Sequence, residues 1–240
     1  MTIGSLVLVQ RASDFRIVPS LMGWGDAPPI RTEIMDITGR HGATASAGLF
    51  AGRPIGVGGY IEQPSHADAI AVRNQLTALG IGTSHLVTVD EGDVPATQVE
   101  ARVSKGAVVE WINNVTFRYS LELVALDPFR RGITPRTTVV GAGSSVAAVN
   151  DGTAAAEMLV TLTSGGTVVL SAGGLTLTTG TLPAGAVIDT ANTSVRASDG
   201  SDLFQLVTLP PMWPALPKGG GTVQQAGTAA LSIEHFDTYA

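Results

Sequence analysis

The sequence contains no cysteine. It therefore has no disulfide, no thiolate metal ligand and no cysteine nucleophile. Charged residues are also scarce, at 14% of 240 residues, against about 25% in an average globular domain. The 14 basic residues are outnumbered by 20 acidic ones, which gives a formal net charge of −6. A protein that grips nucleic acid through its phosphates needs the opposite balance, so the composition argues against that class.

Long hydrophobic runs are absent as well. The longest, such as Leu6–Val9, fall far short of the roughly 18 residues that a membrane-spanning helix needs. Residues 1–15 show no basic stretch followed by a long apolar one, so we expect no secretory signal. These absences predict a soluble protein that is synthesised in a cytoplasm and has no membrane partner.

What the chain does contain is strand-forming sequence between turns, with 29 glycines and 13 prolines as punctuation. Residues 115–126 alternate between apolar side chains, such as Phe117 and Tyr119, and polar ones, such as Arg118 and Ser120. That period of two predicts a strand with one buried face. Just upstream, residues 98–104 and 107–113 alternate around Lys105–Gly106, which predicts a β-hairpin over 98–113.

One helix is predicted over residues 68–79, where apolar side chains recur at spacings near three and four. Ser65 followed by Asp68 resembles a capping box, with aspartate in place of the usual glutamate or glutamine. Gly80 and Gly82 are expected to end the helix. The apolar positions are Ile70, Val72, Leu76 and Leu79.

The composition changes near residue 135, because residues 1–135 carry 24 charges and the remaining 105 residues carry 10. We place a domain boundary around Pro135, giving domains 1–135 and 136–240. Short strands separated by turns in the second domain predict a β-sandwich. The seven predicted strands are Met158–Thr163, Thr167–Leu170, Ala186–Asp189, Ser194–Ala197, Leu203–Val207, Thr222–Gln225 and Ala229–Glu234.

Motifs for cofactors or metals are weak. Thr137–Val146 imitates a dinucleotide-binding fingerprint, but Val146 stands where the third glycine belongs and Asn150-Asp151-Gly152 prevents a long helix. We interpret this segment as a flexible linker. The four histidines are scattered without ligand spacing, and residues 199–202 lack the rest of a calcium loop and predict a hairpin turn. No cofactor and no metal are therefore predicted.

Catalytic motifs are equally weak, and we predict no catalytic residue and no enzyme activity. Asp151 and Asp189 would form a glycosidase pair only if folding brought them together. Trp213 lies in Pro210-Pro211-Met212-Trp213-Pro214. Its indole is interpreted as a packing anchor, with stacking on a sugar ring as the alternative. The corresponding alternative function is a carbohydrate-binding module for host cell-wall glycans.

Taken in order, these segments resemble the distal tail protein (Dit) family of long-tailed, siphovirus-type bacteriophages. In the first domain the resemblance lies in Arg40-His41-Gly42, Gly52-Arg53-Pro54-Ile55, the single helix, the hairpin 98–113 and Asp127-Pro128-Phe129. In the second domain it lies in residues 149–153, 182–190 and 213–217, in the Gly200 turn and in the final strand within Ala229–Tyr239.

The resemblance implies a mainly β protein: a tail-tube-like N-terminal domain with one α-helix, followed by a galectin-like β-sandwich. It also implies a structural protein of the virion, located at the tail tip. There a homohexameric ring would join the tail tube to the tail-tip or baseplate hub and surround the DNA channel. Its partners would be the tail-tube protein, the hub protein and the tape measure protein. With 240 residues, we expect no room for an inserted carbohydrate-binding module.

We expect the ring contacts to come from residues 1–135, chiefly from the strand 115–126 and the hairpin 98–113. DNA would pass through the channel without specific binding, because acidic charge facing it repels phosphates.

Overall fold

A computed structural model describes residues 1–8, 17–36, 41, 43–46, 48–92 and 94–240. The chain is mainly β and divides into two compact units: Met1–Arg130 with Ala240, and Arg131–Tyr239. The domain boundary predicted around Pro135 stays a prediction, because compactness does not test independent folding. The described residues include no helix of the length and hydrophobicity that crossing a bilayer requires.

The first unit is built from short strands, three longer ones and one helix. These are β1 (Thr2–Ile3), β2 (Leu6–Val7), β3 (Ile17–Met22), β4 (Ile30–Arg31), β5 (Ile34–Asp36), β6 (Ala43–Ala45), β7 (Leu49–Phe50), β8 (Arg53–Glu62), α1 (His66–Thr77), β9 (Ser84–Val89), β10 (Thr97–Trp111), β11 (Thr116–Ala125) and β12 (Arg130–Gly132), which spans the division between the units.

Seven of these strands follow one another in a larger sheet in the antiparallel order β2-β1-β9-β10-β11-β8-β3, and β12 pairs with β10 outside this order. The predicted strand 115–126 is confirmed as β11, at the centre of the longest pairings. Its alternation has the predicted sense: Phe117, Tyr119, Leu121 and Leu123 are buried in the core of this unit. The other face of β11 is open to solvent at Arg118, Ser120 and Glu122.

The helix is confirmed with slightly different ends, since α1 covers His66–Thr77. Ser65 is its N-cap, and the Ser65 hydroxyl accepts a hydrogen bond from the Asp68 N–H at 3.2 Å. Ala69 and Leu76 on the inner face of α1 are fully buried. The helix ends before the predicted Gly80, because Ala78 already forms the C-cap in a right-handed helical conformation.

The predicted hairpin 98–113 is wrong. Residues Thr97–Trp111 form the single strand β10, which pairs with β11 along most of its length. Irregularities between Val103 and Lys105 and between Lys105 and Val108 shift the register twice. Such bulges absorb a break in alternation without reversing the chain, so Lys105–Gly106 imitates a turn in the sequence.

A two-stranded ribbon, called the ribbon 30–50 below, is described at residues 30–36, 43–46 and 48–50. In it β4 pairs with β7, and β5 pairs with β6, both antiparallel. Of the motif Arg40-His41-Gly42 only His41 is described, as an exposed bend residue; Arg40 and Gly42 lie outside the described residues.

The second unit contains two antiparallel sheets, with the strand orders β13-β21-β15-β18-β19 and β14-β20-β16-β17. Buried side chains from both sheets form one core, which includes Val160 and Ile233 from one sheet and Leu170 and Val223 from the other. The predicted sandwich is therefore confirmed. Its strands are β13 (Arg136–Val140), β14 (Ser144–Ala148), β15 (Met158–Leu162), β16 (Gly166–Ala172), β17 (Leu175–Leu182), β18 (Val187–Asp189), β19 (Ser194–Arg196), β20 (Gly221–Gln225) and β21 (Leu231–His235). The last strand, β22 (Thr238–Tyr239), belongs to neither of these two sheets.

Two predictions for this unit are wrong. The segment 137–146 is not a linker, because it supplies β13 and β14, one to each sheet, with Val140 buried in the core. Gly143, at a φ of 65°, allows the tight turn between them. The predicted strand 203–207 is a 3-10 turn at Phe204–Leu206. Its start is fixed by the Asp202 carboxylate, which accepts the Phe204 N–H at 2.9 Å.

Candidate functional site

The most conspicuous feature of the first unit is a four-stranded segment, β10-β11-β8-β3, with an unpaired edge on each side. Cross-strand pairs run through it from Trp111, Phe117, Ile61 and Ile17 at one end to Lys105, Glu122, Gly56 and Met22 at the other. Strand β9 pairs with β10 only up to Arg102. Strand β12 also pairs with β10. Among the described residues, positions 104–111 make no hydrogen bond to a strand other than β11, and β3 ends the strand order, so its outer edge has no partner strand. The two open edges therefore lie across the sheet from each other.

Apolar side chains are exposed beside the β10 edge. Ile81 is 73% exposed, Val108 55% and Ile112 57%. Trp111 is partly exposed and packs edge-on against Phe117, with ring centroids 5.2 Å apart. An open strand edge bordered by apolar side chains is a template for pairing with another strand.

The ribbon 30–50 exposes a second apolar group, which comprises Ile30, Ile34, Met35, Leu49 and Phe50. An isolated two-stranded ribbon is marginally stable in water, because it buries too little apolar surface. These side chains are the kind of surface that a partner covers.

The loop that leads into this ribbon is held by Arg53, which is 1% exposed. Its Nε donates to the Pro128 carbonyl at 2.9 Å. Its Nη1 lies within hydrogen-bond distance of the carbonyls of Gly23, Trp24 and Asp26, at 3.0, 3.0 and 2.6 Å. Burial lowers the pKa of the Arg53 guanidinium, and the neighbouring Arg130 cation adds to that effect. Arg53 thus ties residues 23–26 to the start of β8.

The solvent-exposed face of this sheet is nearly balanced in charge, with four carboxylates and three cations. One pair is made by Lys105 and Glu122, whose Nζ and Oε1 are 3.3 Å apart. Both of these side chains are mostly exposed, so the pair adds little stability. The charged residues of this face are Glu62, Glu100, Glu110, Glu122, Arg102, Lys105 and Arg118.

The carboxylates considered in the sequence do not form a pair. Asp151 forms an ion pair with Arg136, which also binds Asp237 at 2.8 Å, and Asp237 raises the pKa of the Arg136 guanidinium. Asp189 instead lines a separate cleft in the second unit with Glu157 and Glu234. In the part of the chain that is described, no group of three histidine or acidic side chains is placed to hold a metal ion.

Trp213 is partly buried and packs against the sandwich core. Its ring is stacked on that of Phe204, with centroids 6.3 Å apart and planes inclined by 25°. This placement matches the packing interpretation, while a sugar contact at Trp213 stays a prediction.

Residues 199–202 form a turn, in which the Asp199 carboxylate accepts the Ser201 N–H and hydroxyl at 2.9 and 2.7 Å. These bonds lower the pKa of Asp199.

Among solved structures, the chain is similar to the Dit protein of phage SPP1, described as a paradigm of the hub adsorption apparatus in phages that infect Gram-positive bacteria. The TM-score is 0.69 and the sequence identity 16%, over 92% of each chain. The chain has the Dit fold. The resemblance predicted from the sequence is thereby confirmed at the level of the fold.

Other similar structures come from the phage P2 baseplate in its activated conformation. The calcium form gives a TM-score of 0.48 at 7% identity over 88% of each chain. The strontium form gives 0.46 at 8% identity over 91% of this chain and 88% of the other. No protein-family model and no curated protein matches the chain.

Sequence reasoning missed Arg53 as a functional side chain, although a signal was present. In β8 the side chain of Arg53 lies on the same face of the sheet as those of Ile55 and Val57, both of which are buried. A charged residue on the buried face of a strand needs hydrogen-bond partners inside the protein. The exposed apolar side chains of the ribbon gave no such signal, since alternation does not say whether another element covers them.

Proposed function

We propose that this protein is a structural hub of a phage tail tip. Copies of the first unit pair edge to edge into a closed ring, which joins the tail tube to the tail-tip or baseplate hub and surrounds the DNA channel. The number of copies, six, comes from the resemblance to the Dit family. So do the partners: the tail-tube protein, the hub protein and the tape measure protein. The protein acts by assembly in the virion and not by catalysis.

The observation that carries this proposal is the pair of open edges on the segment β10-β11-β8-β3. A contact between the β10 edge of one copy and the β3 edge of the next is head to tail, and such contacts close into a ring when the rotation between copies allows it. Strand pairing would satisfy the backbone groups of both edges. It would also bury Val108 and Ile81, which are exposed in the single chain.

The ribbon 30–50 supports the same proposal. Its exposed apolar side chains need a cover, and a neighbouring copy in a ring is present at a fixed position. Arg53 holds the loop that begins the ribbon, so the ribbon would leave every copy in the same direction. The Dit fold is consistent with this role, and the SPP1 protein of that fold is described as a hub.

Light scattering of the purified chain tests the ring. We expect a particle of about six times 24.6 kDa. Val108→Lys should dissociate it, because a lysine at the contact would place a charge beside the paired edge. Val139→Lys is the matched control: Val139 is also exposed, at 67%, but lies in the second unit.

Two results would contradict the proposal. One is a particle that dissociates equally in the Val108→Lys and Val139→Lys variants, because the β10 edge would then not be the contact between copies. The other is a chain that stays monomeric both alone and with the tail-tube protein, or that forms open filaments.

A further inference from the structure

The two open edges of the segment β10-β11-β8-β3 run in opposite directions. Each neighbouring pair of strands in this segment is antiparallel, so β3 runs opposite to β10. Copies related by the rotation that closes a ring keep their strands in one sense and their exposed sheet faces on one side. The β3 edge of one copy therefore meets the β10 edge of the next as an antiparallel pair.

Alternating hydrogen bonds show which residues of the β10 edge are free to pair. The Ile112 N–H donates to the Thr116 carbonyl at 3.0 Å. In an antiparallel ladder the N–H and C=O of one residue point to the same neighbouring strand, and those of the next residue point to the other side. Because Ile112 points to β11, the backbone groups of Val109 and Trp111 point outward.

The same alternation makes Ile17, Pro19 and Leu21 the outward residues of β3. The Gln63 N–H donates to the Val115 carbonyl at 3.0 Å, so the odd-numbered residues of β11 and β8 bond each other. The even-numbered residues of β8 then bond the even-numbered residues of β3. Pro19 agrees with this result, because a proline in a sheet lies where an N–H would face away from the ladder.

Both edges thus offer odd-numbered residues, so facing pairs join odd to odd and even to even. Tyr60, Arg118 and Glu110 form one row on the exposed sheet face, and Val18 pairs with Tyr60 at the end of that row. Pairing of this parity carries the exposed sheet face from one copy into the next without a break.

The free stretch of β10 is bounded at both ends. The Gly82 N–H donates to the Val103 carbonyl at 3.0 Å, which occupies the edge as far as Val103. At the other end β10 stops at Trp111. The six residues of β3 stay between these limits in two registers only, with Ile17 facing either Val109 or Trp111.

Ring closure selects between these two registers. If Ile17 faces Trp111, Val18 faces Glu110, which already shares its row, and the sheet closes without stagger. If Ile17 faces Val109, each contact shifts the rows by two residues. A sheet closes on itself only with such a stagger, because twisted strands must tilt against the axis. The second register is therefore the one compatible with a closed ring.

The selected register also aligns the irregular positions of the two strands. Pro19 then faces Ala107, inside the bulge where the register of β10 shifts between Lys105 and Val108. A bulge interrupts the regular exchange of hydrogen bonds, and Pro19 has no N–H to exchange. In the other register Pro19 would face Val109 and leave the carbonyl of that regular position without a donor.

We propose that the contact between copies is an antiparallel strand pair in which Ile17 and Val18 of one copy face Val109 and Val108 of the next. The inference rests on the proposed function. It adds the direction and the register of the contact, with a second copy of this chain as the partner. Pairing covers Val108, which is 55% exposed in the single chain.

Pairs of introduced cysteines test this register, because the parent chain has no cysteine. Facing residues of an antiparallel pair have Cα atoms about 4.5–5.5 Å apart, within the range of about 4.4–6.8 Å that a disulfide spans. We expect the Val18→Cys, Val108→Cys double variant to form disulfides between copies on mild oxidation and to run as a ladder of linked chains on a denaturing gel. Within one copy the two positions are three strands apart, about 14 Å, so no disulfide forms inside the chain.

The matched control is Val18→Cys combined with Glu110→Cys, two positions that face each other in the register without stagger. In the proposed register they are diagonal neighbours about 7–8 Å apart. We therefore expect at least about 10-fold less linked product than from the first pair. Each single cysteine variant should give no ladder. Light scattering under reducing conditions shows whether each variant forms the ring before oxidation.

Two kinds of result separate this inference from the proposed function. Equal linking of both pairs, stronger linking of the control pair, or no linking in a particle of six copies would overturn the register and leave the ring intact. A chain that stays monomeric both alone and with the tail-tube protein would contradict the proposed function, and the register would fall with it.

Discussion

Replacing Arg53 by methionine should destabilise the first unit strongly. Methionine keeps most of the apolar stem of the side chain, so the change isolates the guanidinium. That group is 1% exposed and bonds the carbonyls of Pro128 and of residues 23–26. Without it, the loop that precedes the ribbon 30–50 loses its tie to β8.

The magnitude follows from the groups left without a partner. The Nη1 atom carries two hydrogens and Nε one, so the substitution removes three donors from four carbonyl acceptors. Each buried polar group left unpaired costs roughly 1–3 kcal/mol. The parent protein, in turn, bears the cost of burying a cation, which lowers the pKa of Arg53 and is relieved by the substitution. The net loss in the free energy of unfolding should be about 3–5 kcal/mol, because several carbonyls lose their donor at this cost each and the relief of the buried cation offsets only part of the sum.

Urea unfolding followed by tryptophan fluorescence measures this loss. In a Trp213→Phe background the emission comes from Trp24 and Trp111, both in the first unit. Arg102→Met is the matched control, because Arg102 is exposed on β10 and should change stability by less than about 0.5 kcal/mol. If the Arg53→Met chain unfolds within about 1 kcal/mol of its parent, the loop is held by other contacts and the reasoning is refuted.

Two further predictions concern single buried positions. Burial raises the pKa of Tyr119 to about 12, from 10 when unfolded. Below pH 10 the phenol is protonated in both states, and its contribution to stability is complete. As the pH rises from 10 towards 12, Tyr119 ionises in the unfolded chain first, so the free energy of unfolding falls by at most roughly 2.7 kcal/mol. Tyr119→Phe should remove that decline, as measured by urea unfolding at several pH values. It should not destabilise the chain at neutral pH, because the buried hydroxyl has no hydrogen-bond partner among the described residues. A decline that persists in the Phe variant would contradict this prediction. At Gly227 a Cβ would lie 2.2 Å from the Thr167 carbonyl oxygen, whereas at Gly180 the nearest atom is 3.7 Å away. Gly227→Ala should cost about 1–3 kcal/mol in thermal unfolding and Gly180→Ala much less; equal losses would show that the clash is relieved at no cost.

The regular elements were predictable where one physical signal dominated. Strand β11 alternates without interruption from Phe117 to Leu123, and its buried face is the one expected. Helix α1 was marked by its cap, Ser65, because a side-chain acceptor at that position satisfies an otherwise unpaired N–H. These signals are local, so no knowledge of the rest of the chain was needed.

The errors arose where a local signal has two structural meanings. Lys105–Gly106 breaks the alternation, which a turn and a pair of bulges both do, and only the partner strand β11 decides between them. The glycines at 141 and 143 are equally suitable for a flexible linker and for a tight corner. The burial of Val140 in the sandwich core selects the corner. Such choices depend on residues distant in sequence, which pattern reasoning does not rank.

The candidate sites were the least predictable part. Glu157, Asp189 and Glu234 are 32 or more residues apart in sequence, and the sheet order β21-β15-β18 brings them to one cleft. Likewise, an open edge is a property of the whole sheet. The alternation in β10 shows that its residues form a strand but not that β9 stops pairing at Arg102.

The charge of the exposed sheet face gives a last prediction, which rests on the proposed ring. If this face lines the channel, each copy contributes four carboxylates and three cations, so the lumen is close to neutral with a slight acidic excess and does not retain DNA. We expect no retardation of double-stranded DNA by the parent chain at physiological salt.

Glu110→Lys combined with Glu122→Lys adds four positive charges to that face in every copy, and the assembled ring should then bind DNA with a steep salt dependence. Asp199→Lys with Asp202→Lys makes the same change of charge on a turn of the second unit. Because the net charge is identical in the two doubly substituted proteins, only the position of the charge differs. Equal DNA binding by both would mean that the exposed sheet face does not line the channel, and binding by the parent chain would contradict the near-neutral lumen itself.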